Sequence, residues 1–178
     1  YPGLGWISAL RSSAIRDLVQ AGTLQLSLFD EQNLAEISSP EFAGERLIAC
    51  HNPLLAEERT RKREELLKAT EKALERIARQ VRRRTKKPLT AAEIGKKAGA
   101  VVNRFKMGKH MELTIKDGAF GYARRSQNIE REAALDGIYV IRTSEPKESC
   151  SAEKAVSTYK SLAKVERAFR CLKGVDLH

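Results

Sequence analysis

The stretch Ser151–Lys173, SAEKAVSTYKSLAKVERAFRCLK, predicts one long helix near the end of the chain. Ser151 is suited to cap the helix N-terminus, because its hydroxyl can accept a hydrogen bond from a backbone N–H of the first turn. Glu153 puts a negative charge in that turn, where it interacts favourably with the helix dipole. Gly174 follows as the residue that ends the helix.

Three polar side chains of this helix are spaced by seven residues: Tyr159, Glu166 and Lys173. Seven residues make nearly two turns, so the three side chains project from the same side with a drift of about 20° per step. An ordinary amphipathic helix is the alternative interpretation, with the charges in solvent. In that case its apolar residues form the core: Val156, Leu162, Ala163, Val165, Phe169 and Leu172.

The helix resembles the Tyr-x2-Arg-x3-Glu-x6-Lys signature of a group of bacterial insertion-sequence transposases. Tyr159, Glu166 and Lys173 match the signature in residue type and spacing, whereas Leu162 stands at the Arg position. The preceding segment 136–149, DGIYVIRTSEPKES, is similar to the strand and Thr-Ser-Glu-Pro turn that lead into this helix in the family. The resemblance covers about the last forty residues well and the first twenty loosely.

The resemblance implies a DDE transposase with an RNase H-like catalytic core, of which this chain is a C-terminal-half fragment. Such enzymes place three carboxylates around two divalent cations, Mg²⁺ or Mn²⁺, for strand cleavage and transfer. Glu166 is then the third acid and a metal ligand, and the two Asp residues precede Tyr1, so the fragment alone is expected to be inactive. Tyr159 and Lys173 are expected to contact DNA phosphates.

The same resemblance implies the partners and location of the protein. DNA is the expected partner, as transposon ends and as target, and the active complex is expected to be a homodimer. The location is expected to be the bacterial cytoplasm, in association with the nucleoid. No run of eighteen apolar residues exists, so no membrane span is expected. No membrane partner is expected either, because the basic helix lacks interfacial Trp or Phe on an apolar face.

Positive charge is concentrated in one part of the chain. The net charge is +10, and the segment 76–109 contains twelve Lys or Arg residues against a single acid, Glu93. A basic stripe this local favours a polyanionic partner. Five of its residues are candidate DNA contacts: Arg82, Arg83, Arg84, Lys86 and Lys87.

The three cysteines are widely spaced, at Cys50, Cys150 and Cys171, and form no Cys-x2-Cys or Cys/His cluster. We therefore interpret them as reduced thiols and exclude a zinc site as their function.

Periodicity and turn residues predict the remaining elements. Strands are expected at 5–11, 24–29, 34–38, 45–51, 110–116, 119–125 and 138–143, and helices at 13–20, 54–86, 126–135 and from Thr90 to about 105. Thr90 and Glu93 form a capping box, and Asp117-Gly118 is a strong β-hairpin signal. In the first long helix, Leu67, Leu74 and Val81 repeat by seven residues, close to a coiled-coil seam.

These elements predict a mixed α+β fold. The resemblance implies a partial RNase H-like core at 1–22, an insertion domain at 23–143, and the helix of the catalytic Glu at 144–178. The insertion is expected to be rich in strands and to contain a long antiparallel helical hairpin at 54–105. Two other functions remain open from the sequence: a non-enzymatic basic nucleic-acid-binding module, which the basic stripe favours, and a helical scaffold or dimerisation element, which the seam favours.

Overall fold

The computed structural model describes residues 4–174, with the side chains of Ala163 and of residues 171–174 outside the description. The strands are β1 (Ile7–Ala9), β2 (Leu34–Ile37), β3 (Arg46–His51), β4 (Met111–Lys116), β5 (Ala119–Arg124) and β6 (Ile138–Thr143). The helices are α1 (Ser12–Gln20), α2 (Pro53–Arg83), α3 (Ala91–Phe105), α4 (Ser126–Ala133) and α5 (Ala152–Gly174). Short 3₁₀ helices lie at Leu26–Phe29, Pro40–Phe42 and Gly108–His110.

The fold is mixed α and β with antiparallel sheets, as expected from the sequence. All predicted elements are confirmed within a few residues except one. The strand predicted at 24–29 is wrong, because Leu26–Phe29 form a 3₁₀ helix. Its backbone groups bond locally, with the Leu28 N–H donating to the Gln25 carbonyl and the Asp30 N–H to Ser27, so no strand partner is needed.

The chain divides into two compact units at 53/54 and at 136/137. Unit 1 contains the residues up to Pro53 and those from Gly137 onward, and unit 2 contains Leu54–Asp136. This division differs from the predicted boundaries at 22/23 and 143/144. The difference arises from strand pairing, because β2, β3 and β6 join the sheet of β1 instead of belonging to the inserted segment.

Unit 1 is built on a four-stranded antiparallel sheet in the order β1-β6-β3-β2. Because side chains alternate along a strand, one face presents Ile48, Cys50 and Ile141, which pack with the first turns of α5. The opposite-facing residues Leu47, Ala49 and Val140 are also buried. The sheet is therefore buried on both faces.

Trp6, the single tryptophan of the chain, is 37% exposed. The guanidinium of Arg142 lies 4.9 Å from the centre of its ring and 5.3 Å from that of Phe42, and it also pairs with Glu45 at 2.5 Å. Trp6 thus contributes a cation–π contact at the sheet margin.

Unit 2 has its own core, which buries the predicted seam of α2. The seam residues pack with one stripe of α3 and with apolar side chains of the β4–β5 hairpin. The fully or nearly buried members are Leu67, Leu74, Ile77, Val81, Leu89, Ile94, Ala98, Val102, Met107 and Met111. The arrangement of α2 and α3 as an antiparallel hairpin remains a prediction.

Arg124 fixes β5 to the acidic half of α2. Its guanidinium pairs with Glu64 at 2.8 Å and with Glu71 at 2.7 Å, and these carboxylates raise the pKa of Arg124 above its usual range. Glu64 and Glu71 are seven residues apart, so they lie on one side of the helix and can share one cation.

The predicted capping box is confirmed at the start of α3. The Glu93 N–H donates to Thr90 Oγ1 at 3.3 Å, and the Thr90 N–H donates to Glu93 Oε2 at 2.9 Å. The β4–β5 turn lies against this helix start, because the Ala91 N–H donates to Asp117 Oδ1 at 2.6 Å and the Gly118 N–H to the Leu89 carbonyl at 2.8 Å.

We expect Gly118→Ala to destabilise the chain by about 1–2 kcal/mol, because Gly118 has φ +68°, where a Cβ is strained. The new Cβ would also lie 3.3 Å from Pro88 Cβ. Gly99→Ala is the matched control, since Gly99 lies inside α3 with open space around its Cβ position. The free energy of unfolding of the Gly99→Ala control should rise by up to about 1 kcal/mol. Urea unfolding of both variants measures these changes in stability. Equal changes in the free energy of unfolding would contradict the prediction.

His110 is fully buried in a cluster of charged groups in unit 2. Its Nε2 lies 3.2 Å from Glu132 Oε2, which also pairs with Lys109, and neither ring nitrogen has a hydrogen bond within the described part of the chain. Arg63, buried beside Glu132, pairs with Asp136. Burial lowers the pKa of His110 more than Glu132 raises it.

The lowered pKa of His110 predicts a loss of stability in mild acid. Above the unfolded-state pKa of about 6.5 the imidazole is neutral in both states, and below it the unfolded chain takes up the proton first. The free energy of unfolding should therefore fall as the pH drops from about 6.5 through the lower folded-state pKa. Urea titrations between pH 7.5 and 5, with a parallel His110→Gln variant, test this. If the free energy of unfolding of the His110→Gln variant falls equally steeply with decreasing pH, groups other than His110 cause the loss of stability.

Candidate functional site

The structure places the signature positions on one continuous helix, α5, which follows β6 and a tight turn. Ser151 caps α5 as predicted, since its Oγ accepts the Lys154 N–H at 3.2 Å. Tyr159 is half-buried and packs on the core of unit 1. Lys173 lies in the helix, but its side chain is outside the described residues.

Glu166 lies in the second half of α5, where the side chains described from Ser161 to Arg170 are exposed. Its side chain is 71% exposed, and it forms an ion pair with Arg170 at 3.7 Å, one turn along the helix. An exposed pair of this type contributes little to stability. The carboxylate is thus available to a ligand or partner.

The apolar residues of this half of α5 correct the amphipathic interpretation. Val156 is buried as expected, but Leu162, Val165 and Phe169 are exposed, Phe169 by 60%. They are therefore not core residues of unit 1. Ala163 and Leu172, expected in the same core, have side chains outside the described residues.

Within the described residues, no three His, Cys, Asp or Glu side chains form a group that could hold a metal ion. Glu166 is a single candidate ligand, and the described residues do not fit a complete two-metal site. Cys50 and Cys150 are buried free thiols. Burial raises the pKa of Cys50 to about 11, so this thiol is unreactive near neutral pH.

A densely hydrogen-bonded turn at 145–150 leads into α5, and its long-range hydrogen bonds were not predicted from the sequence. Arg46, at the start of β3, donates from Nη1 to the Glu145 carbonyl at 3.0 Å and to the Cys150 carbonyl at 2.8 Å. Its Nη2 pairs with Glu36 Oε1 at 2.6 Å. Contacts between residues about a hundred positions apart leave no local signal in a single sequence.

The basic segment of unit 2 divides into paired and unpaired cations. Glu75 accepts from Arg79 at 3.2 Å and from Arg82 at 2.7 Å, and Tyr122 donates to its other oxygen at 3.2 Å. These hydrogen bonds, led by that of Arg79, lower the pKa of Glu75. Arg82 is therefore partly neutralised in the folded chain.

The last residue of α2 and the connection to α3 provide four exposed cations, which we call the basic loop set: Arg83, Arg84, Lys86 and Lys87. Within the described residues none of these four side chains has a hydrogen bond or an ion pair. Arg84 and Lys87 act only weakly on Glu93, whose pKa is lowered mainly by its hydrogen bonds to Thr90. The set offers its full charge to an external anion.

No helix in the described part of the chain is long and apolar enough to span a membrane. Comparison of the chain with models of known protein families, with curated proteins and with solved structures finds no match in any of the three.

Proposed function

We propose that this chain is part of a DDE transposase, in which Glu166 is the third acid of the catalytic centre and unit 2 binds DNA. The observation that carries the catalytic half of this proposal is the exposed carboxylate of Glu166 at the signature spacing from Tyr159, on a helix that follows a strand and a tight turn. In this proposal residues 1–22 and 144–178 form part of an RNase H-like core, and the two other acids that would hold the divalent cation, Mg²⁺ or Mn²⁺, come from a preceding part of the full-length protein.

The basic loop set supports the DNA-binding half. Its four unpaired cations follow one another within five residues, so they can contact successive phosphates of a backbone. Contacts to phosphate position a protein on DNA without reading its sequence, which suits a surface that holds different DNA segments. A homodimer as the active form and transposon ends as the substrate belong to the same proposal.

A non-enzymatic nucleic-acid-binding module is the second candidate, because the basic loop set alone supports binding without chemistry. The scaffold alternative has less support. It needs the Leu67–Leu74–Val81 seam as a free surface, whereas these residues are buried inside unit 2 by α3 and the β4–β5 hairpin.

We expect the basic loop set to dominate the salt dependence of DNA binding. Changing Arg83, Arg84, Lys86 and Lys87 to Gln should reduce the slope of log K against log salt by about 0.9 for each phosphate that the protein no longer neutralises. The Arg82→Gln change alone should have a smaller effect, since Glu75 already pairs with that guanidinium. Fluorescence anisotropy with a labelled duplex at several salt concentrations measures these slopes.

The matched control changes to Gln four exposed cations of α2 and α4 that, within the described residues, also lack an ion pair: Arg59, Lys62, Lys72 and Arg131. Net charge falls by the same amount in both variants, so a general charge effect would flatten both slopes equally. That outcome would contradict a contact surface at the basic loop set.

Glu166→Gln in the full-length protein should reduce strand cleavage by orders of magnitude, because it removes the charge of the carboxylate and keeps its shape. Each factor of ten corresponds to about 1.4 kcal/mol of transition-state stabilisation. DNA binding should persist, since the basic loop set is unchanged. Glu153→Gln is the control, an exposed glutamate at the start of the same helix. The measurement is cleavage of transposon-end DNA with binding measured in parallel.

Wild-type cleavage by the Glu166→Gln protein would reject the catalytic assignment. An exposed helical Glu without a catalytic role tolerates Gln within about 0.5 kcal/mol of stability. If full-length protein binds DNA but cleaves none, the second candidate function is favoured.

A further inference from the structure

The position of Glu166 depends on how the first turns of α5 are held. Ala152, Ala155 and Val156 are buried and Tyr159 packs on the sheet, but the side chains described from Ser161 to Arg170 are exposed. The direction of the exposed half is therefore set by the packed first turns of the helix and by the turn that precedes it.

Helix geometry makes Glu166 sensitive to small tilts of α5. Glu166 is fifteen residues beyond Ser151, or about 22 Å along the axis at 1.5 Å per residue. A tilt of about 5° at the start of the helix displaces the Glu166 backbone by about 2 Å over that length. Catalytic groups need placement within about 0.5 Å, and a misplacement of about 1 Å can cost a hundredfold in rate.

Arg46 is the side chain that fixes both ends of the turn before α5. Its Nη1 donates to the carbonyls of Glu145 and Cys150, and Cys150 is the residue directly before the Ser151 cap. The guanidinium is largely covered and is itself oriented by Glu36 at 2.6 Å. A planar guanidinium with several fixed donors can hold two carbonyls at once, which the single ammonium of Lys does less well.

Several bonds within the turn are short-range and do not involve Arg46. The Ser149 and Cys150 N–H groups donate to the Pro146 carbonyl, at 3.2 and 3.0 Å, and Ser149 Oγ donates to Glu145 Oε2 at 2.9 Å. These bonds shape the turn locally. Arg46 connects residues 145 and 150 to β3. The only other polar links to distant residues are the bonds of Thr143 and Ser144 to Trp6, just before the turn, and a 4.0 Å ion pair of the exposed Lys147 with Glu36, all within the described residues.

We propose that Arg46 is a positioning residue for Glu166, acting by anchoring the 145–150 turn and so the direction of α5. This inference rests on the proposed function, because a precise position of Glu166 matters only if its carboxylate takes part in the reaction. The proposal gives a positioning role to a residue of β3 that lies outside the signature. Among the described residues, all hydrogen bonds of Arg46 go to Glu36 and to the turn.

The test compares three variants of the full-length protein. Arg46→Gln removes the guanidinium that donates to the carbonyls of Glu145 and Cys150. Arg46→Lys keeps the positive charge and can keep the ion pair with Glu36, but it lacks the planar guanidinium with its several donors. Arg142→Gln is the matched control, since Arg142 also lies on the sheet, pairs with a glutamate and is partly buried, but contacts Trp6 and Phe42 instead of the turn.

Two measurements report how Arg46 affects the turn and the direction of α5, and neither requires DNA cleavage. Spin labels at Ser8→Cys and Arg167→Cys, both exposed positions of unit 1, report the direction of α5 relative to the sheet in a Cys171→Ser background. Amide hydrogen exchange at Ser149 and Cys150 reports opening of the turn. Arg46→Gln should broaden the distance distribution and speed this exchange at least tenfold, Arg46→Lys should give intermediate values, and Arg142→Gln should give wild-type values.

The rate of strand cleavage then tests whether the contacts of Arg46 affect the proposed catalytic function of Glu166. Arg46→Gln should lower the cleavage rate at saturating DNA at least tenfold with DNA affinity unchanged, and the decrease in rate across the three variants should follow the width of the distance distribution. An unchanged distance distribution in Arg46→Gln, or a broadened one with wild-type cleavage, would overturn the inference. Because Glu166→Gln is measured alongside, wild-type cleavage by that variant would instead identify a failure of the proposed function, and the positioning role would fall with it.

Discussion

The pairing of β6 with both β1 and β3 is the constraint on which unit 1 depends. Residues 138–143 return after the whole of unit 2 and insert between two strands from the first 51 residues. The register places Ile141 beside Ile48 and Ala9, so one face of the sheet becomes a continuous apolar surface for α5. Without this return, the buried strand β3 would lack one of its two neighbours, and the first turns of α5 would lack the surface on which they pack.

Local features of the sequence predicted most of the elements but not their assembly. The capping box at Thr90, the Asp117-Gly118 turn and the apolar run of β6 each depend on residues a few positions apart, and all three predictions are confirmed. The domain boundaries at 22/23 and 143/144 depended on which strands pair. Pairing joins residues about a hundred positions apart, and no local pattern in a single sequence specifies it.

For the candidate site, too, the sequence predicted the local features but not those that depend on distant neighbours. The helix carrying Glu166 and its Ser151 cap follow from spacing and residue type, but the exposure of Leu162, Val165 and Phe169 does not. An apolar stripe at helical spacing predicts burial, and burial requires a neighbouring surface that the sheet of unit 1 supplies only as far as about Tyr159. Nothing in the sequence singles out Arg46 either, since its acceptors in the turn are backbone carbonyls, which every residue provides.

Arginine has three different roles in this chain, and the neighbours of each residue decide which role it has. Arg46 and Arg124 each join distant segments through several hydrogen bonds, and Arg142 contacts two aromatic rings. The side chains of Arg83 and Arg84 have no hydrogen-bonding partner among the described residues. Counting positive charge treats all five alike. A guanidinium that is already paired within the chain must give up that partner before it can bind a phosphate, whereas an unpaired one gives up only water. The total of 33 Lys and Arg residues therefore overstates the charge available to an external anion, and the run of unpaired cations from Arg83 to Lys87 is the better guide to where a polyanion binds.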